Sequence, residues 1–282
     1  MRNLLWEIVL RLCHGFISMA PCRIVEVEGR KHFITLRFDR DKERKLHMQT
    51  LAALYPEADS YEKLLMVCRK MRLPESTQEE VFRRMVFNIL ANNTDDHNKN
   101  FSFLMDESGC WRLSPAYDVT YIFNVGGFLP EKTHCLMMQG KLQGQTKEDA
   151  LTLARNNGIR RAESVIDEVA ASIRQFRSFA EECEVGQRWI GAVETTLNNH
   201  LAEWGLCDRR RNVSFRIGET LFEDVRVERT YRGNYHLLCK VDGKGRKFVI
   251  TNKKNEYAWI DKTGIDNLTN EQLYSLVETF FP

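Results

Sequence analysis

Apolar residues recur at helical spacing through most of the chain up to residue 205. The most regular stripe occupies positions i, i+3, i+4, i+7 and i+8 of one segment and consists of Phe82, Met85, Val86, Ile89 and Leu90. Such a stripe is typical of a helix that buries one face. Ser76 and Glu79 stand at the spacing of a capping box, which predicts that this helix begins at Ser76. The same reasoning predicts further helices near residues 4–12, 47–54, 60–71, 146–157, 162–182 and 186–204.

Alternating apolar and polar residues predict two hairpins within this helical part of the chain. Residues 23–28 and 32–38 alternate in strand fashion on either side of a Gly-Arg turn, which predicts an antiparallel pair. Residues 101–105 and 110–113 flank Asp106-Glu107-Ser108-Gly109, a sequence that favours a tight turn.

The pattern changes after Gly205. Strand-type segments separated by Gly-, Asn- and Lys-containing turns lie near residues 225–231, 235–241, 246–251 and 256–260. A short helix, with Thr269 and Gln272 as its capping pair, is predicted to follow them. We therefore expect an α+β protein in which residues 206–282 form a small antiparallel β module with one covering helix.

The amino-acid composition is typical of a globular protein and does not indicate a ligand. The apolar share of 43% and the charged share of 28% are ordinary for a globular protein. The net charge of +2 is too small to indicate nucleic-acid binding by itself. Arg209–Arg211, together with aromatic residues of the β module, leaves a base-stacking surface as an open alternative.

Cysteine usage and the N-terminal segment favour a cytoplasmic protein. The eight cysteines are scattered and include no C-x-x-C pair, so we expect reduced, mostly buried thiols. The apolar run from Leu4 to Leu12 is interrupted by Glu7 and Arg11. It is too short and too charged for a membrane span and has no leader cleavage pattern, so no membrane association is expected.

A dense polar run directly follows the helix predicted over residues 77–91. Asp95 and Asn100 stand five residues apart, the second predicted hairpin comes next, and Asp118 lies beyond it. Protein kinases place a catalytic-loop aspartate, an asparagine five residues later and a second aspartate beyond a short hairpin in this order. The spacing therefore predicts a phosphoryl-transfer site.

The chemistry of phosphoryl transfer suggests a role for each polar residue. Asp95 would be the base that accepts the substrate hydroxyl proton, while Asn100 and Asp118 would offer hard oxygen ligands to Mg²⁺. His97 would steady the loop or the phosphates, and Lys99 would neutralise developing charge.

Alternative interpretations of the polar run remain. Asp96 is adjacent to Asp95, and sequence alone does not decide which of the two carboxylates faces the substrate. A polar loop that merely ends a helix would not explain Asp118. A zinc site using His97 lacks a well-spaced second histidine.

Three stretches resemble the HipA-like serine/threonine kinases, which are the toxins of bacterial toxin–antitoxin pairs. They are the segments 37–40, 87–102 and 113–119, and the resemblance extends over about residues 1–205. It implies a kinase fold in which Asp95 is the catalytic aspartate and Asn100 and Asp118 bind Mg²⁺.

The resemblance also implies ligands and partners. The strand Leu36-Arg37-Phe38 would be the hinge that contacts the adenine of ATP through backbone groups. The family's substrates are aminoacyl-tRNA synthetases, and its usual partner is a helix-turn-helix antitoxin, so DNA would be contacted only through that antitoxin. The implied domains are a partial N-lobe and hinge at 1–45, a catalytic lobe at 46–205 and the module at 206–282.

One part of the family pattern is missing from this sequence. Kinases place a phosphate-gripping loop and a lysine upstream of the hinge, but the glycines before Leu36, Gly15 and Gly29, are isolated. We therefore expect the chain alone to bind Mg-ATP weakly, with the missing lobe supplied by a second polypeptide or lost by truncation. A non-catalytic interaction or antitoxin-binding remnant of such a kinase is the alternative function.

Overall fold

The computed structural model describes residues 8–9, 11–13, 15–41, 44–122, 133–206, 213–217, 220–229, 235–241, 244–253 and 256–261. The chain divides into two compact units, Met1–Leu206 and Cys207–Pro282. Helices together with small antiparallel sheets give the α+β class that the sequence predicts. Among the described residues, no helix is both long enough and apolar enough to cross a bilayer.

The first unit contains seven strands and seven helices within its described residues, besides helical residues 8–9 and 11–13. The strands are β1 (Cys22–Val27), β2 (Arg30–Thr35), β3 (Arg40–Asp41), β4 (Arg44–Lys45), β5 (His47–Thr50), β6 (Ser102–Met105) and β7 (Trp111–Leu113). The helices are α1 (Leu51–Leu54), α2 (Tyr61–Lys70), α3 (Glu75–Leu90), α4 (Lys147–Asn156), α5 (Ala162–Ile173), α6 (Phe176–Glu182) and α7 (Gln187–Glu203).

The predicted N-terminal hairpin is confirmed, but its second strand is shorter than expected. β1 and β2 pair antiparallel from Cys22 opposite Thr35 to Val27 opposite Arg30. One further backbone hydrogen bond continues the pairing beyond the two strands, from the Leu36 N–H to Pro21 O at 2.8 Å. Since proline has no N–H to return a bond, pairing stops there, and β2 ends at Thr35 rather than at Phe38.

Helix α3 is the central element of the first unit. The predicted apolar stripe is buried, with Phe82 and Met85 fully inaccessible, and the helix packs against α2, α5 and α7. The predicted capping box is wrong, because the N-cap is Pro74 and no side chain caps this end. The Glu79 carboxylate instead accepts from Arg83, one turn along the helix, at 3.0 Å.

Two other predicted helices needed correction. Residues 47–54 are not one helix, because His47–Thr50 pairs with β6 and only Leu51–Leu54 is helical, capped by the Thr50 hydroxyl. Pairing with a strand more than fifty positions away is invisible to local periodicity. Residues 162–182 form two helices rather than one, and the chain turns between Ile173 and Phe176, which are both buried in the core.

The remaining helices of the first unit follow the sequence pattern closely. Thr146 and Asp149 form a complete capping box at the start of α4, and Gly158 follows this helix at a φ of +71°. α2 is capped by the Ser60 hydroxyl, and α7 begins directly after Gly186. The described cysteines are all free thiols, as the scattered spacing suggested.

The described part of the second unit is a five-stranded antiparallel sheet with consecutive strands as neighbours. Its strands are β8 (Val213–Ile217), β9 (Thr220–Arg229), β10 (Tyr235–Val241), β11 (Lys244–Lys253) and β12 (Glu256–Asp261). The sequence predicted β9 to β12, although it placed the start of β9 near residue 225 rather than at Thr220. It did not predict β8, because this strand is short and follows a charged run. The helix predicted near Thr269 lies outside the described residues.

Candidate active site

The polar loop starts from a fixed point at the end of α3. Ala91 is the C-cap, and Asn92 adopts a left-handed φ of +55°, a conformation that asparagine tolerates better than most residues. The Asn93 N–H then donates to Asn88 O at 2.8 Å. A buried helix therefore sets the position from which residues 93–100 depart.

Asp95 and Asn100 close one turn of this loop. The side-chain amide nitrogen of Asn100 donates to Asp95 O at 2.8 Å, and its backbone N–H donates to His97 O at 2.9 Å. Because the amide nitrogen is engaged, the Asn100 Oδ1 is the atom left to face a cation. The Asp95 carboxylate is half-buried and accepts no hydrogen bond from any described residue.

Asp96 has an entirely different environment from its neighbour. Its side chain is inaccessible and accepts from the Tyr61 hydroxyl at 2.6 Å, His134 Nδ1 at 3.0 Å and Cys135 N at 2.7 Å. The Tyr61 oxygen in turn accepts from Asn88 Nδ2 at 3.1 Å. Burial, reinforced by the Asp96 charge, raises the pKa of Tyr61, so the phenol stays a donor. Asp96 therefore connects the loop to α2 and to the segment that contains His134 and Cys135.

Asp118 reaches the same neighbourhood through the β6–β7 hairpin. The Tyr117 hydroxyl donates to Lys99 O at 2.6 Å and is hydrogen-bonded to the Ser102 hydroxyl, so it ties the residue before Asp118 to the loop. Asp118 itself is exposed and has a φ of +55°. Asn100 and Asp118 line one small cleft, and the two predicted metal ligands are thus brought together.

A buried cation stabilises the wall of this cleft. Arg84 is 5% exposed and pairs with Glu80 at 2.8 Å, while it also donates to Ser114 O at 3.0 Å. Desolvation lowers the Arg84 pKa, and the Glu80 carboxylate opposes that shift. Because this guanidinium is already neutralised, it leaves the oxygens of Asn100 and Asp118 free for a cation.

These oxygens fit Mg²⁺ better than a metal held entirely by protein. Among the described residues, no group of three or more His, Cys, Asp or Glu side chains converges as a metal site. Mg²⁺ usually takes one or two protein oxygens and completes its shell with water and substrate phosphates. One amide oxygen and one carboxylate on the same cleft suit that coordination.

His97 and Lys99 lie apart from the predicted ligands. His97 lines a different groove, together with Glu57, Asp59 and Cys135, and its Nδ1 is buried without a hydrogen-bond partner among the described residues. The Lys99 side chain is exposed. Neither residue lines the cleft of Asn100 and Asp118.

The predicted hinge residues approach the site from the N-terminal side. The Phe38 ring lies 5.5 Å from the ring of Tyr117, the residue before Asp118. Arg37 forms an ion pair with Asp39, which lowers the Asp39 pKa. Leu36 is 67% exposed and contributes little packing.

Sequence reasoning missed the residues that hold the loop in place. Tyr61 and His134 belong to segments that carry no local signal of a site, since each looks like an ordinary residue of its own element. Their role follows only from their contacts with Asp96. A run of amides such as Asn92-Asn93 was the one local sign of a buried polar network here.

The chain is similar to proteins that are named as kinases, and it matches only part of each. It is 28% identical over 193 residues to "Putative kinase Y4dM" of Sinorhizobium fredii, covering 65% of this chain and 46% of that protein. It is 33% identical over 66 residues to the serine/threonine-protein kinase toxin HipA of Shewanella oneidensis, covering 23% of this chain and 15% of that protein. The chain thus spans less than half the length of these curated relatives.

A solved structure shares the fold. The Shewanella oneidensis complex of HipA, HipB and operator DNA contains a chain that superposes with a TM-score of 0.58 at 17% identity, covering 76% of this chain and 58% of that chain. At this identity the similarity concerns the fold alone. The HipA-like C-terminal domain family matches residues 9–176, which is more than half of the chain. The chain therefore belongs to the HipA-like C-terminal domain family.

Proposed function

We propose that this chain transfers the γ-phosphoryl group of ATP to a serine or threonine hydroxyl of a protein substrate. The observation that carries the proposal is the shared cleft of Asn100 and Asp118, next to a loop whose Asp95 is held by the Asn100 amide. Phosphoryl transfer depends mainly on positioning and charge neutralisation, and this arrangement supplies fixed oxygen ligands beside an available carboxylate.

Asp95 is the base in this proposal, and Asp96 is a positioning residue. The sequence left both candidates open, but the Asp96 carboxylate already accepts three hydrogen bonds and is inaccessible. A carboxylate so engaged cannot accept a proton from a substrate without breaking buried bonds. Asp95, one residue earlier and half-buried, has no such engagement among the described residues.

Asn100 Oδ1 and the Asp118 carboxylate would hold Mg²⁺, which neutralises charge on the transferring phosphates when it is bound. The exposed Lys99, which precedes Asn100 in the sequence, would help to neutralise the developing charge. His97 is assigned to the support of the loop, because it lines a separate groove.

The stretch Leu36-Arg37-Phe38 would contact adenine through its backbone. The Leu36 N–H is already donated to Pro21 O, so the nucleotide would use other backbone groups of this stretch. The ring contact between Phe38 and Tyr117 places the stretch beside the residue that precedes Asp118.

The proposed partners follow from the family. The HipA–HipB–operator complex supports a helix-turn-helix antitoxin as partner, through which DNA would be contacted. An aminoacyl-tRNA synthetase would be the protein substrate, and the cytoplasm of a bacterium the setting. A separate polypeptide that supplies a phosphate-gripping loop and its lysine is a further proposed partner.

The test is transfer of radiolabelled γ-phosphate from ATP to a panel of purified aminoacyl-tRNA synthetases, with and without the candidate partner chain. We expect labelling that requires Mg²⁺ and disappears in Asp95→Ala. Asp167→Ala, which removes an exposed aspartate of α5, is the matched control and should label normally. Labelling that survives Asp95→Ala would contradict the assigned base.

A further inference from the structure

A cavity of about 760 Å³ lies beside the polar loop but outside the cleft of Asn100 and Asp118. Its walls come from the end of α3 and the residues that follow it, from residues 121–122, 134 and 142–145, and from one face of α7. That face carries Ala192, Thr196, His200 and Glu203. Thr94, the residue before Asp95, is a buried part of the wall. The volume lies within the range of small-ligand pockets.

Among lysine, arginine, aspartate and glutamate, the described lining contains only an acidic side chain. No lysine or arginine lines the cavity within the described ranges, and the one lining carboxylate is Glu203. Glu203 is exposed, so it lies at the rim, and no described residue forms an ion pair with it. Among the described residues of the lining, a phosphate or another anion would therefore meet no lysine or arginine.

Both histidines that line the cavity are hydrogen-bonded through their Nδ1 atoms. His200 Nδ1 lies 3.2 Å from Leu90 O, where it acts as a donor. Burial lowers the His200 pKa, so the ring is neutral near pH 7 and its Nε2 can only accept a hydrogen bond. His134 Nδ1 is hydrogen-bonded to the Asp96 carboxylate at 3.0 Å.

Two aromatic rings complete the lining. The Trp204 indole N–H donates to Gln145 O at 2.8 Å, which fixes the ring, and Trp204 is 4% exposed. Tyr121 is hydrogen-bonded to Thr196 and Asn92. Aromatic rings attract organic cations through their π faces, and most strongly in partly desolvated sites.

We propose that this cavity is a binding subsite for an alkylammonium or guanidinium group, with Glu203 as its counter-charge and Trp204 and Tyr121 as its aromatic walls. The group reaches the cavity either on a free amine or as a lysine or arginine side chain of a bound polypeptide. The second source would place a basic residue near the acceptor hydroxyl, since Thr94 directly precedes Asp95. The binding itself does not rest on the proposed kinase activity.

The test is calorimetric titration of the full chain with n-butylguanidinium, with n-butanol as the neutral probe. We expect n-butylguanidinium to bind saturably and n-butanol not to bind. Loss of one charge pair is expected to weaken binding about tenfold in Glu203→Gln, and Ala192→Phe, which fills the cavity, should abolish it. Glu163→Gln removes an exposed charge of α5 away from the cavity and should bind as the parent chain does.

A thermal melt of each variant shows whether it is folded before it is titrated. Because Glu203 is exposed, its substitution should leave the melting temperature unchanged. Absence of saturable binding by the parent chain overturns the proposal. Binding that is equal in the parent, Glu203→Gln and Ala192→Phe chains also overturns it, because the cation then binds elsewhere.

Competition distinguishes the two sources. Displacement of n-butylguanidinium by a serine peptide with a flanking arginine, but not by the same peptide with norleucine, supports a polypeptide ligand. Displacement by spermidine and not by the peptide supports a free amine. Either result is obtained without measuring phosphoryl transfer, so a failure of the proposed activity would be seen separately in the labelling experiment.

Discussion

The Tyr61 hydroxyl donates a 2.6 Å hydrogen bond to the Asp96 carboxylate, and both side chains are buried. This bond joins the first turn of α2 to the loop that follows α3. Its consequence for the site is that one of two adjacent aspartates is locked into the structure while the other stays available. Four predictions follow from this network and from the groups around it.

Tyr61→Phe should lower the free energy of unfolding by about 1–3 kcal/mol, because it leaves a buried carboxylate and the Asn88 amide short of a partner. Urea denaturation measures the change. Tyr55→Phe is the matched control, since the Tyr55 hydroxyl has no hydrogen bond among the described residues, and it should stay within about 0.5 kcal/mol of the parent. Equal stabilities for the two variants would count against the network.

Asp95→Asn and Asp96→Asn should separate catalysis from stability. Removing a general base typically costs about 10²–10⁴ in rate, so Asp95→Asn should lose labelling activity while its urea midpoint remains unchanged. Asp96→Asn should lower the urea midpoint, because an amide cannot accept all three of the bonds that the carboxylate accepts. The reverse pattern would exchange the roles of the two residues.

Asn92 should tolerate glycine better than valine. Its φ of +55° costs a β-branched residue on the order of 1–2 kcal/mol, whereas glycine adopts it freely. Both variants lose the hydrogen bond from Asn92 Nδ2 to Ile122 O, so the bond cancels in the comparison. Denaturant unfolding should therefore give a lower stability for Asn92→Val than for Asn92→Gly, and no difference would exclude backbone strain as the cause.

The burial of His200 should make stability depend on pH. Its folded pKa lies below the ordinary value of 6.5. The unfolded chain therefore binds the proton more readily, and stability is full above about pH 6.5 and declines as the pH falls towards the folded pKa. In urea melts between pH 7.5 and 5, His200→Gln should show a shallower decline than the parent chain. Parallel curves would mean that His200 does not contribute.

Several elements could be read directly from the sequence because their signals are local. The stripe from Phe82 to Leu90 predicted a buried helix, and Thr146 predicted the start of α4, since periodicity and capping depend on residues within a few turns. The capping box at Ser76 failed because Glu79 is drawn to Arg83 and to Arg161, which lies on another segment. A correct spacing is thus necessary for a cap but does not ensure one.

The candidate site was likewise predictable from the sequence only in part. The spacing of Asp95, Asn100 and Asp118 is a property of the sequence, and it indicated the chemistry before any contact was known. The cleft shared by Asn100 and Asp118 depends on how the β6–β7 hairpin returns to the loop through Tyr117. The cavity beside Thr94 had no local signal at all, because its walls come from five separate segments.

By itself, the sequence determined the helical face of α3, the two hairpins and the order of the polar residues, since these follow from backbone periodicity and short spacings. Only the tertiary structure decided that His47–Thr50 is a strand and that Asp96 is held in place. Two of the residues that bind Asp96 are distant along the chain. Tyr61 lies 35 positions before it, and His134 lies 38 positions after it. Hydrogen bonding and burial depend on neighbours in space, and the folded chain alone brings these together.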